Sequence, residues 1–428
     1  MKKWTFPEEF LHFVWRSKRF EMTSLCTTLG QPLQIVHFGQ YNSVAGPDFR
    51  EARIRVGDTL WVGNVEIHIR ASDWTAHRHH LDPAYDNVIL HVVWEEDLPL
   101  FRSNGERLPT LELEGRVAPS IWQVYQDLRY QSAWPACRFH FHDAPAVVVQ
   151  SWIERLMVER LEQKTRAMEP LLAELQNDWE SLLYRQIARS MGLAVNADPM
   201  EQLARLSPIQ LLWKYRDQQT LVEAFLFGQA GMLERGFEDE YPKELKEQYR
   251  FLSKKHGLQP MNPSSWKFSR LRPAAFPTVR IAQLAALVCQ SPRWFGELIH
   301  TGEWSSIQYF FHQLAVSWYW HSHYQFDKLS VPHLCQIGDD TIELVVINAL
   351  SPVSFLYGAK NSATRFQTQA LAFLENLPPE SNRIIREWKA LGVQPASAGQ
   401  SQALLHWLKN YCDQKKCLEC AVGGAILK

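Results

Sequence analysis

Net charge is nearly absent from this sequence. Its 428 residues set 45 Lys and Arg against 46 Asp and Glu, a formal balance of -1. That excludes a protein that coats nucleic acid through bulk positive charge, so any phosphate binding must rest on local clusters. Arg16, Lys18 and Arg19 near the start and Lys254, Lys255 and His256 in the middle are the obvious ones, although clusters of that size are usually solvated surface. Long hydrophobic runs are missing too. No apolar stretch is read as reaching the roughly eighteen residues that cross a bilayer. The opening Met1-Lys2-Lys3-Trp4 leads into Pro7-Glu8-Glu9 instead of an apolar leader, so neither signal peptide nor membrane anchor is expected. The expected setting is a reducing cytoplasm, where the seven cysteines serve as thiols or metal ligands more readily than as disulfides. No regular internal period is found, which argues against a repeat array.

What is present begins with an ordinary globular balance, 46% hydrophobic and 21% charged, in a chain long enough for two or three domains. Two carboxylates then stand out. Residues 63–70 alternate, with Gly63, Val65, Ile67 and Ile69 on one face and Asn64, Glu66, His68 and Arg70 on the other, the period of a strand. Ile54 and Val56 alternate in the preceding segment, and Gly57-Asp58-Thr59 supplies turn chemistry, so the two segments read as a hairpin. Asp48 then lies near the beginning of one strand and Glu66 within its neighbour. A polar row of this kind is also what the solvent face of an antiparallel sheet carries. The next strand, residues 87–94, is almost continuously apolar, which predicts burial on both faces and partial cover for the adjacent polar row. Partly buried carboxylates need a partner, and a divalent cation suits them.

Pro47-Asp48, a hairpin, then Glu66-x-His68 resembles the PD-(D/E)xK nuclease signature. The resemblance implies a restriction-endonuclease-like α/β (α+β) core in which Asp48, Glu66 and the main-chain carbonyl of Ile67 hold magnesium or manganese beside a scissile phosphate of DNA or RNA. The third position of that signature is usually Lys; here it is His68, whose imidazole is largely neutral at pH 7 at its ordinary pKa of about 6.5. His68 is compatible with a general base or an additional ligand for manganese or zinc. It equally fits a retired active site that still binds nucleic acid. Such nucleases often bring a Glu from a helix ahead of the core into the metal site. Glu9, on a predicted helix over residues 7–15, is the matching candidate, beside its plainer role at the positive end of the helix dipole.

A second resemblance covers nearly the whole chain. Glu9-Phe10-Leu11-His12 and residues 42–49, 63–74, 86–93, 272–280 and 412–423 are similar to an uncharacterised bacterial family, the domain-of-unknown-function 2851 group, which brings no established activity.

Five histidines, at 68, 77, 79, 80 and 91, fall close together. The run His77-x-His79-His80-x-Asp82 is near to, but not the same as, the His-x-His-x-Asp-His run of metallo-hydrolases, and it lacks the His-Glu-x-x-His of zinc peptidases. Metal or phosphate chemistry stands against capping, solvent exposure or packing beside Trp74. His77, His79 and Arg70 are the candidates to contact substrate, and a hydrolase of small phosphorylated molecules built on the histidines is a further reading.

Cys412, Cys417 and Cys420 follow a Cys-x4-Cys-x2-Cys spacing that suits zinc or an iron-sulfur cluster, both of which prefer sulfur ligands. Cys137 is the first candidate for a fourth ligand, with Cys335 and His406 behind it; the alternative is buried free thiols. Some nucleases of the recombination and CRISPR-adaptation type resemble this in outline, with three late cysteines and one distant one. Between the ends, helical periodicity predicts a long amphipathic helix over 147–166 and further helices over 179–192, 208–215, 221–233, 279–289, 306–324, 363–377 and 402–411. Ile347-Asn348 and residues 352–358 read as an element end followed by a turn. The loop carrying Arg270, Arg272 and Arg280 suits an anion clamp or helix-bridging ion pairs. The expected layout is a nuclease-like α/β domain over 1–130 and a helical domain over 131–428 that ends in the cysteines. The leading function is metal-dependent phosphodiester hydrolysis on nucleic acid; the alternative is a non-catalytic nucleic-acid or protein interaction module that kept the fold.

Overall fold

The structure, a computed structural model, describes residues 6–42, 46–102, 105–130, 134–300 and 302–427. Residues 1–4 and 43–45, drawn on above for the chain's opening and for the family resemblance, lie outside this set. The chain divides into two compact units, Met1–Trp152 with Trp407–Lys428, and Ile153–His406. The boundary thus falls later than residue 130, and the cysteine-bearing segment belongs with the first unit instead of finishing the helical one.

The first unit opens with helix α1, Glu8–Arg16. Glu8 and Glu9 sit at its positive end and Arg16 in its last turn, each offsetting the helix dipole. Its apolar residues Phe10, Leu11, Phe13, Val14 and Trp15 are buried, and the Trp15 indole N–H donates to the Phe38 carbonyl at 3.1 Å. A mixed six-stranded sheet follows, made of β1 (Leu33–His37), β2 (Gln40–Tyr41), β3 (Phe49–Val56), β4 (Thr59–Arg70), β5 (Val88–Glu95) and β6 (Thr110–Glu112). Its order is β1-β3-β4-β5-β6, with β2 beside β3. β3 and β4 form the antiparallel hairpin, turning at Gly57 with φ +58°. β5 runs parallel to β4, and β6 parallel to β5, so the chain crosses over between β4 and β5 through a short helix α2 (Asp73–Ala76) and two 3-10 turns. As its composition predicts, β5 is buried from Val88 through Trp94.

Two irregularities set the site. β3 carries one extra residue, since Phe49 opposes Val65 but Ala52 opposes Gly63; Glu51 takes a left-handed φ of +60° in the bulge. Continuing that register one step puts Asp48 opposite Glu66, and directly opposed residues share a face. On the other edge of β4 the parallel register slips between Asn64 and Val65. There β5 approaches so closely that a Cβ on Gly63 would meet Ile89 Cγ2 at 2.5 Å and the Asn87 carbonyl at 2.6 Å.

Beyond β6, α3 spans Pro119–Tyr130 and α4 spans Ala146–Glu174, the latter longer than the predicted 147–166 and running from the first unit into the second. The second unit is mostly helical, and two expectations there are corrected. The helix expected over 306–324 ends at His312 and gives way to a 3-10 turn at Trp318–His321 and a small hairpin, His323–Gln325 with Lys328–Leu329. Tyr319, Trp320 and Phe326 bury together in the turn and hairpin instead. Residues 339–360 form a continuous helical run, not an element end and a turn; a π turn at Val346–Leu350 precedes Pro352. By length and apolarity this run would suffice to cross a membrane, contrary to the sequence reading, but 72% of its most apolar window is buried inside the chain. Arg280 is buried against Gln283 and Thr341 and is not presented as an anion clamp.

Candidate metal centre

Strand alternation puts Glu66 and His68 on one face of β4, and both are buried, at 4% and 0% exposure. Asp48 faces them from the end of β3. Its main-chain N–H donates to Glu66 Oε2 at 3.1 Å, while its carboxylate accepts the N–H of Ile67 at 2.9 Å. The two acids are therefore interlocked through backbone groups.

The crossover supplies the imidazoles. His77 follows α2, Arg78 reverses the chain with φ +63°, and His79 opens the next 3-10 turn. That left-handed reversal turns both rings toward β4. His79 Nε2 lies 3.3 Å and His68 Nε2 3.7 Å from Glu66 Oε1. His77 Nδ1 is 3.2 Å from His68 Nε2. The other nitrogen of His68, Nδ1, bonds His91 Nε2 at 2.8 Å, and His91 comes from β5 in register with Glu66. Tyr85 stacks on His79 with ring centroids 3.8 Å apart. Beneath them Trp74 closes a small core with Ala71, Val88, Val93, Leu100 and Leu108. On the α1 side, His12 Nε2 is 3.2 Å from Asp48 Oδ2 and 3.7 Å from Glu8 Oε1. Among the described residues, His68, His77 and His79 form one group whose donor atoms all lie within 4.8 Å of each other, and Glu8, His12 and Asp48 form another.

Burial, reinforced by the Asp48 charge, pushes the Glu66 carboxyl far above the carboxylate range, to about 9. Burial and the neighbouring rings of His91, His79 and His77 hold His68 down at about 2. Burial likewise lowers His91 to about 3. Burial opposes protonation of His12, but its pairing with Asp48 and Glu8 outweighs it and raises the ring to about 9. Two acids crowded together beside His68 and His91, whose rings burial keeps neutral, make a donor set suited to a cation.

Of the residues chosen from sequence, Asp48, Glu66, His68, His77 and His79 converge. Glu9 does not, because it lies on the exposed side of α1; its neighbour Glu8 reaches the cluster instead. Arg70 stands exposed at the end of β4, 4.0 Å from Glu95. His12 was missed, and His91 was counted with the histidines but given no role in the site. The signal for His12 is its position one turn after Glu8, and for His91 it is a lone imidazole inside an otherwise apolar strand. Beside the acids a cleft is lined by His12, Arg16, Tyr41, Tyr125, Lys415 and Lys416, with Glu9 at its edge; the Arg16 guanidinium lies 5.3 Å from the Tyr41 ring centre. Cys137 comes together with Cys412, Cys417 and Cys420 around a separate small cavity.

No curated protein and no solved structure matches the chain. A family model matches residues 8–383, the sheet, the acids and the histidines included, and stops short of the late cysteines. The chain belongs to the family described as protein of unknown function (DUF2851).

Proposed function

We propose that the first unit is a restriction-endonuclease-like domain that hydrolyses phosphodiester bonds of DNA or RNA with a divalent metal ion. The observation that carries this reading is the interlocked pair Asp48 and Glu66, with Glu66 buried beside the rings of His68 and His79. The donor set fits a cation. Burial and Asp48 both disfavour the charged form of Glu66, and an ion between the two acids would offset that penalty. In a strand the N–H and C=O of one residue leave on the same edge, so the Ile67 carbonyl points to the side where its N–H meets Asp48, in keeping with a third oxygen ligand. The nearby nitrogens favour manganese over magnesium.

A bound ion of this kind supplies a water of lowered pKa and offsets charge building on the phosphate. Asp48, Glu66 and the Ile67 carbonyl would hold the ion. His68 is suited to ligation and not to general base work, because burial keeps its lone pair unprotonated and too weakly basic to take a proton from water. His91 fixes its ring through Nδ1, the support that ligating imidazoles need. His77, exposed and hydrogen-bonded to His68, is placed to pass protons to solvent. Arg16, Lys415 and Lys416 along the cleft are placed to contact phosphates despite the chain's neutral balance.

The test is incubation of the purified protein with plasmid, single-stranded DNA and RNA in magnesium or manganese. Nicking or degradation that Glu66→Ala abolishes is expected. Binding without cleavage, unchanged by Glu66→Ala, would overturn the reading in favour of a non-catalytic module. Hydrolysis confined to small phosphoesters would overturn the nucleic-acid assignment.

A further inference from the structure

Cys137 precedes the whole second unit and Cys412, Cys417 and Cys420 follow it, yet the four line one small cavity with Trp407 and Tyr411. None is in a disulfide. The backbone around them is shaped for the sulfurs. Cys412 ends a π turn, Leu408–Cys412, a rare geometry that recurs at functional sites. Lys415 turns the loop with φ +54°. Gly423 touches the Cys417 carbonyl so closely that a Cβ there would sit 2.1 Å from the oxygen. The backbone N–H groups of Val422 and Gly423 and the indole N–H of Trp407 are directed at the Cys420 sulfur. Converging N–H donors of this kind stabilise a ligating thiolate and tune its metal.

Spacing decides between a single ion and a cluster. Tetrahedral zinc at about 2.3 Å from each sulfur brings the four sulfurs to within about 3.8 Å of one another. Among the described residues, the groups with three donor atoms inside 4.8 Å contain no cysteine. The four sulfurs thus surround a common space without meeting at one point, as ligands to separate irons do. We propose that Cys137, Cys412, Cys417 and Cys420 hold an iron-sulfur cluster that ties the late segment of the first unit to its early one.

The full-length protein, produced with supplemented iron and purified anaerobically, tests this directly. A brown protein is expected, with visible absorption that bleaches on reduction with dithionite and about two to four irons and as many acid-labile sulfides per chain. Cys137→Ser and Cys417→Ser should each lower bound iron at least tenfold, whereas Cys26→Ser and Cys289→Ser should leave it unchanged. The composition of the unaltered chain is decisive even where a variant fails to fold. A colourless protein with one zinc, a protein with neither metal, or colour that survives Cys137→Ser would each overturn the proposal. None of these readouts depends on nuclease activity.

Discussion

The Asp48 N–H donates to the Glu66 carboxylate at 3.1 Å, and the Asp48 carboxylate takes the N–H of Ile67 at 2.9 Å. Each acid is thereby aimed by the other's strand. Charge-assisted bonds to backbone N–H groups are short and directional, so the pair is preorganised before any cation arrives. An acid pair built this way trades stability for binding capacity, and that trade can be measured.

Manganese should stabilise the protein through Glu66. At a concentration a hundredfold above the dissociation constant the gain is about 2.7 kcal/mol, or roughly 5 to 10 °C in melting temperature. Glu66→Gln retains an acceptor for the Asp48 N–H but cannot ionise to hold a cation. Its thermal midpoint without metal should equal or exceed that of the wild type, and its manganese-induced shift should vanish. An undiminished shift in the variant would place the ion elsewhere.

In chelator, the contribution of the metal centre to stability should peak near pH 6.5. His68 and His91 have lowered folded pKa values, so as the pH falls below about 6.5 the unfolded chain takes up protons that the folded one refuses, and stability drops. Glu66 is raised, so its contribution runs the opposite way; within the metal centre two histidines outweigh one carboxylate, leaving a net loss from these three groups of about 1.4 kcal/mol per pH unit between pH 6 and 5. His12 is raised to about 9. Its contribution is complete below its ordinary value and, like that of Glu66, is lost as the pH climbs through 9. Urea midpoints at pH 5, 6.5 and 9 check this, and His12→Ala should flatten the alkaline limb. A maximum at pH 9 would contradict these assignments.

Gly63→Ala should cost about 1 to 3 kcal/mol, the range for forcing a methyl into a filled contact, because β5 occupies the space its Cβ would need. The shift in denaturant midpoint reports it. A neutral result would mean that β4 and β5 separate easily at the bulge.

Lys415→Ala and Lys416→Ala should each weaken nucleic-acid binding without regard to sequence, and each should reduce the salt dependence of log K by about one phosphate's worth. Fluorescence anisotropy at several salt concentrations measures both. Unchanged salt slopes would remove the cleft from the binding surface.

The hairpin, the strand buried on both faces and the long helix were legible because period and turn chemistry are local. Asp48 and Glu66 were legible as neighbours for the same reason. Their shared face was not, since it depends on one extra residue in β3 and a left-handed Glu51 that no periodicity marks. His77 and His79 were visible as a cluster, but their convergence on Glu66 depends on the reversal at Arg78. Glu9 was chosen over Glu8 because helix phase relative to a distant strand is a tertiary property. Pro352 suggested a break, yet tertiary packing and a π turn carry the helix past it.

The first unit takes its polypeptide from both sides of the second, and Arg16 of α1 bonds the Leu418 carbonyl at 2.7 Å. During synthesis the ribosome must deliver the entire intervening helical unit before this strap emerges. The nascent sheet therefore waits, partly assembled, for a segment translated much later. A premature stop codon just past residue 406 would leave the second unit's sequence intact and cripple the first.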